Sequence, residues 1–126
     1  MKIRPERVAH LMRREIAEIL QNRLRDPRLS SSMVSVTDVQ VTHDLSMARV
    51  YVSMLADGIE RETAMRALQS AAGFVRRELG PRLGLREVPD LRFAIDTSIE
   101  RGARVDEILR KLHEGAPIED PEDEPR

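Results

Sequence analysis

Residues 64–83 read AMRALQSAAGFVRRELGPRL, and the way this stretch is parsed decides the fold. Ala64, Leu68, Ala72, Val75, Leu79 and Leu83 recur at helical spacing on one side, which predicts an amphipathic helix. Gly73 interrupts it. Glycine costs about 1 kcal/mol relative to alanine inside a helix, so a glycine among good helix formers marks either a bend or a close backbone approach. A bend after Ala71 and Ala72, with Arg76, Arg77 and Arg82 following, opens a notch poor in side chains beside a group of guanidiniums, a place for a nucleic-acid backbone. The competing reading is that Gly73 lets the helix pass closely over a sheet.

Working outward, residues 5–24 carry a second helical pattern. Val8, Met12, Ile16, Ile19 and Leu20 form its apolar stripe, and Arg7, His10, Arg14, Gln21 and Arg25 gather opposite. Pro5 suits a first helical turn, and Asp26-Pro27 should end the helix. Residues 34–42 (VSVTDVQVT) alternate with a slip at Thr37-Asp38 that a bulge would correct, and residues 47–54 (MARVYVSM) alternate cleanly. The short turn His43–Ser46 joins them as an antiparallel hairpin. Beyond the bent helix, Gly80-Pro81 should fray or kink its second half. Residues 91–96 (LRFAID) read as a third strand, and Val105 to Leu112 as a short helix with Asp106–Arg110 and Glu107–Lys111 pairs. The order α-β-β-α-kink-α-β predicts an α+β domain: a three-stranded sheet with its helices packed on one face.

Charge is divided unevenly along the 126 residues. Residues 114–126 carry six acids against one arginine, a net of −5, so the net of −1 for the chain leaves +4 on residues 1–113. This predicts a basic body at 1–113 and a disordered acidic tail at 114–126, the pattern of a polyanion binder. Only Phe74, Phe93 and Tyr51 are aromatic, which excludes base stacking as the main mode of recognition. With no cysteine, no apolar run near the roughly 20 residues a bilayer requires and no signal-peptide core, the expected setting is the cytoplasm, off the membrane.

Enzymatic chemistry has little to build on. His10, His43 and His113 are far apart and fit no metal-ligand spacing; His43-Asp44 lacks a nucleophile motif; the glycines form no phosphate-cradling loop. A binding protein is expected, with no catalytic residue, metal or cofactor. The candidate contacts are Ala71, Gly73, Arg76, Arg77 and Arg82 around the kink, and Arg4, Arg7 and Arg14 on the first helix as a second patch. A regulatory or oligomerisation module is the alternative class. Positive charge collected on one face favours RNA, and charge interspersed with acids favours a solvated oligomer.

Three segments, RVAHLMRREIAEILQNRLRDPRL (7–29), VSVTDVQVTHDLSMARVYVSML (34–55) and LQSAAGFVRRELGPRLGLREVPDLRFAIDTSIERGARV (68–105), occur in the order and spacing of the ribosome-binding factor A family, which the chain resembles over nearly its whole body. The resemblance implies a KH-like domain of type II topology, with a helix–kink–helix at Ala71-Ala72-Gly73 in place of the usual GxxG loop. It further implies binding to 16S ribosomal RNA on the free, immature small (30S) subunit near the decoding site and a part in ribosome biogenesis and rRNA processing. A monomeric state, a role in cold adaptation and release by an assembly GTPase belong to the same expectation.

Overall fold

The computed structural model describes residues 4–29, 34–98 and 107–112. Apolar spacing in the first helix is realised directly. Helix α1 (Pro5–Asn22) buries Val8, Met12, Ile16 and Ile19 and places Pro5 in its first turn, where a missing N–H costs nothing. It ends before Asp26-Pro27, with the N–H groups of Arg23 and Leu24 both turning back to the Ile19 carbonyl. A 3₁₀ turn, Pro27–Leu29, then reverses the chain.

Strand β1 (Ser35–Val41) pairs antiparallel with β2 (Met47–Ser53), and the register shifts between Val36 and Asp38, where the alternation predicts a bulge. The bulged Thr37 turns its hydroxyl to the Tyr51 carbonyl and the Asp96 carboxylate. On β2, Ala48, Val50 and Val52 face the helices and are fully buried. In the hairpin turn the Asp44 carboxylate accepts the Thr42 and Ser46 hydroxyls and the Ser46 N–H, and the Ser46 and Thr42 hydroxyls hold its pKa down at about 2.

After β2, helices α2 (Gly58–Ser70) and α3 (Ala72–Leu83) carry the chain over to β3 (Asp90–Ile95), which runs parallel to β2. The sheet order is β1-β2-β3, and α1, α2 and α3 pack against it. Leu68, Ala72, Val75 and Leu79 meet the α1 stripe, β2 and Leu91 in one core. Each fully buried aliphatic side chain contributes about 1.5–3 kcal/mol of transfer free energy, which is why the buried faces dictate the course of the helices.

The interruption sits at Ala71, two residues before the glycine that announced it. Ala71 has φ −84° and ψ −4°, well off the helical ψ, and its N–H is shared between the Ala67 and Leu68 carbonyls at 3.0 and 3.1 Å. Gly73 lies in the first turn of α3. Packing explains the shift: α2 leans on β3 and the 3₁₀ turn, α3 on α1 and β3, and the chain bends where one set of contacts gives way to the other. Pro81 does not fray α3. A helix tolerates the ring's φ, and the helix runs to Leu83 before Gly84 closes it at φ 65°.

The chain packs as two units, Met1–Asp96 and Thr97–Arg126. In the second, residues 107–112 are helical, with Lys111 Nζ 3.6 Å from Glu107 as expected. The expected body at 1–113 therefore takes in the first unit and the beginning of the second; Asp106, His113 and the tail at 114–126 lie outside the described residues.

Candidate nucleic-acid interface

Three residues decide what the break can offer: Gly73, Arg76 and Arg77. Gly73 is exposed, its φ is not in the left-handed region, and a Cβ built on it would come near only the Arg77 Nη1, at 3.5 Å. Among the described residues no atom of the sheet comes within 4 Å of that Cβ. The fold thus sets no steric demand for glycine at this position, and the close-packing reading fails. What remains is a first helical turn whose outer surface is backbone, the small Ala71 and, over it, one cation.

Adjacent arginines have opposite fates. Arg77 is exposed, one turn beyond Gly73 on the same side of α3, and has no acidic partner among the described residues. Arg76, rotated about 100° from it, is half-buried; Nε donates to the Pro89 carbonyl at 3.2 Å and Nη2 to the Val88 carbonyl at 2.8 Å. Arg82 is also engaged within the fold. Its Nη1 donates to Glu15 at 3.2 Å and to Glu18, and the hydrogen bond to Glu15, followed by that to Glu18, raises its pKa above the usual arginine value.

Arg4 caps α1 through its carbonyl, which accepts the N–H groups of Arg7 and Val8. Arg4, Arg7 and Arg14 are exposed and free of acidic partners among the described residues. They do not join the kink. Arg23 Nε meets Glu78 at 2.9 Å while Arg82 meets Glu15 and Glu18, so α1 and α3 run antiparallel and the break lies toward the C-terminal end of α1. Arg7 is about 24 Å from Arg23 along α1 at 1.5 Å per residue, so the first-helix arginines form a separate patch.

The structure adds residues that are not among the candidate contacts. Arg25, exposed, lines an open groove of about 930 Å³ between the end of α1 and the start of β1, and Leu68, one turn before the break, also lines it. Asp26 and Arg28 pair at 2.8 Å; the Arg28 hydrogen bond holds the Asp26 carboxyl below its usual value and removes Arg28 from the free cations. Gln69 bonds to β3 on both sides of its amide. The place of Arg25 beside the groove had a sequence signal in the short RDPRL turn after α1, whereas the Gln69 partners are main-chain groups with no signature.

Among the described residues no group of histidines and acids could hold a metal ion, and no helix is long and apolar enough to cross a membrane. An exposed guanidinium over a bare helical turn suits a sugar-phosphate chain, which needs donors and close approach and supplies no sequence information.

A sequence model described as ribosome-binding factor A matches residues 4–109. Ribosome-binding factor A of Acetivibrio thermocellus is 45% identical over 121 residues, covering 95% of this chain and 98% of that protein. The Staphylococcus carnosus protein of the same name is 43% identical over 112 residues, covering 89% and 96%. Among solved structures, the crystal structure of ribosome-binding factor A from Thermus thermophilus superposes with a TM-score of 0.63 at 31% identity, covering 72% of this chain and 94% of that one. A Thermus thermophilus homology model fitted into the cryo-EM map of a 30S complex superposes with a TM-score of 0.58 at 32% identity, covering 71% and 96%.

Proposed function

This chain belongs to the ribosome-binding factor A family, and from that premise we propose that it binds the immature small ribosomal subunit and assists the processing and maturation of 16S ribosomal RNA. The contact is made by phosphate and shape recognition. Ala71 and Gly73 admit the backbone, and Arg77 neutralises a phosphate beside them. Arg25 holds a phosphate at the end of α1, and Arg4, Arg7 and Arg14 hold others at the separate first-helix patch. Arg76 and Arg82 act inside the protein, one on the chain leading into β3 and the other across α1 and α3.

The observation that carries this reading is the exposed Gly73, which the fold itself does not require. A relative fitted on a 30S subunit supports the choice of partner. The protein works as a cytoplasmic monomer without cofactor or bond-making chemistry, supports growth in the cold, and is released by an assembly GTPase. The test is sedimentation of the full chain with purified 30S subunits at low and high salt. Co-migration that is lost at high salt, and lost at low salt in Gly73→Leu, is expected; a chain that never co-migrates, or a Gly73→Leu variant that co-migrates like the parent, refutes the reading.

A further inference from the structure

Gln69 closes the last turn of α2, two residues before the break, and Arg76 follows it in α3. Both reach the same stretch of chain. The Gln69 Nε2 donates to the Leu91 carbonyl at 3.1 Å, and its Oε1 accepts the Phe93 N–H at 3.2 Å. Arg76 Nε and Nη2 donate to the carbonyls of Pro89 and Val88 at 3.2 and 2.8 Å.

These partners are the ones the fold leaves open. The N–H groups of Asp90 and Asp96 bond to Ser46 and Val52, so the even-numbered peptide groups of β3 face the β2 side and the odd-numbered ones face outward. Leu91 and Phe93 therefore present their groups on the free edge, and the Gln69 amide pairs with them as the peptide of a neighbouring strand would. Arg76 does the same for two carbonyls just before the strand.

From this arrangement we infer that Gln69 and Arg76 are positioning residues, a clamp that fastens both arms of the break to residues 88–93 and sets the angle at which the turn at Ala71–Gly73 meets RNA. The inference rests on the reading of that turn as the RNA contact. Directional bonds are what the junction needs. Apolar contacts of Leu68 and Val75 are not directional, and at Ala71 the N–H is divided between the Ala67 and Leu68 carbonyls while the Val75 N–H continues the ladder to the Ala71 carbonyl. If release of the clamp lowers the binding-competent fraction from near one to about one-tenth, the apparent Kd rises about tenfold.

The test measures 30S binding and its salt dependence for the full chain carrying Gln69→Leu, Arg76→Met, or both, with residual dipolar couplings reporting the orientation of α2 against α3. Gln69 is exposed, so its main-chain partners are left to water and the domain stays folded. Each single variant should weaken binding several-fold and the double about tenfold, with an altered or broadened interhelix orientation and an unchanged log–log salt slope. A positioning residue leaves the slope alone; loss of a phosphate contact lowers it by about 0.7–0.9. A slope reduced by that amount in Arg76→Met overturns the clamp, as does parental affinity in Gln69→Leu. Should Arg76→Met fail to fold, Gln69→Leu decides alone. Gly73→Leu and Arg77→Ala serve as references: weakened binding in both with intact clamp variants removes only the clamp, whereas parental binding in both removes the RNA reading and the clamp with it.

Discussion

Replacing Gly73 by alanine should make the protein more stable and its RNA contact weaker. At this position φ is helical, and the only atom a new methyl would meet is a guanidinium nitrogen of Arg77, 3.5 Å away at the end of a flexible, exposed side chain. No strain or clash therefore opposes the gain from restricting the unfolded chain, about 0.4–1 kcal/mol for glycine to alanine where the native backbone is compatible. A gain of that size raises the melting temperature of a domain of this length by about 2–8 °C. On the binding side, the methyl stands on the surface proposed to meet the sugar-phosphate chain, and Gly73→Leu puts a larger group there without harming the helix. Thermal denaturation by circular dichroism and filter binding to 30S subunits measure the two effects on the same samples. The expected signature is opposite in sign: on the change from glycine to alanine stability rises while affinity falls, and the leucine variant binds weakest. A less stable alanine variant would mean that the glycine is needed for packing. A variant that is more stable and binds 30S as the parent does would mean that nothing approaches this turn, and the proposed contact would be wrong.

If Arg77, Arg25, Arg4, Arg7 and Arg14 neutralise about five phosphates, the log–log dependence of 30S affinity on salt should have a slope between roughly −3.5 and −4.5, and an affinity nearly indifferent to salt refutes the mechanism. Arg77→Ala should weaken 30S binding and shorten that slope, while Arg82→Ala should leave both nearly unchanged and produce a small drop in the thermal midpoint, because its partners are Glu15 and Glu18; equal binding losses in the two variants would contradict the division of roles. Asp44 makes an acid-side contribution to stability: its carboxyl sits at about 2 in the folded chain against an ordinary 3.8, so the stabilisation is complete above about pH 5 and fades as the pH falls toward 2. Asp44→Asn should flatten the decline of the melting temperature between about pH 5 and pH 2, and an identical acid profile in parent and variant would show that the hydroxyls of Thr42 and Ser46 do not hold the charge.

Much of the fold could be read before the structure, because its signals are local. The stripe of Val8, Met12, Ile16 and Ile19 has one helical solution, and the alternation from Ala48 to Val52 has one strand solution. Even the slip at Thr37 forces a bulge, since without it Val36 and Val39 would face opposite sides. The bend was legible as a property of 64–83 and falls within the expected Ala71-Ala72-Gly73 element, at Ala71 and not at the glycine that marked it. A glycine marks where a helix is weak, but the chain bends where the contacts of α2 end and those of α3 begin, and that boundary falls at Ala71. Pro81 misled for a related reason: a proline forfeits one hydrogen bond near a helix end that Gly84 closes anyway, so the helix survives it.

The arginines were legible as a population and not as individuals. Composition and spacing gather Arg76, Arg77 and Arg82 into one basic segment, yet their tasks depend on rotation about α3 and on partners far away in sequence. A turn of about 100° sends Arg76 to the carbonyls of Val88 and Pro89 and leaves Arg77 over Gly73. Arg82 finds Glu15 and Glu18 only because α1 and α3 run antiparallel. Periodicity carried one step further recovers part of this. Val75 and Leu79 fix the buried side of α3, Arg76 lies next to Val75 on that side, and Arg77 falls on the side of the exposed glycine. A cation beside the buried stripe must satisfy its donors within the fold, and one beside an exposed glycine has only solvent or a partner to meet. By the same reasoning, removing the free cation nearest the bare turn should lower affinity, and removing the bound one should change how the turn is held.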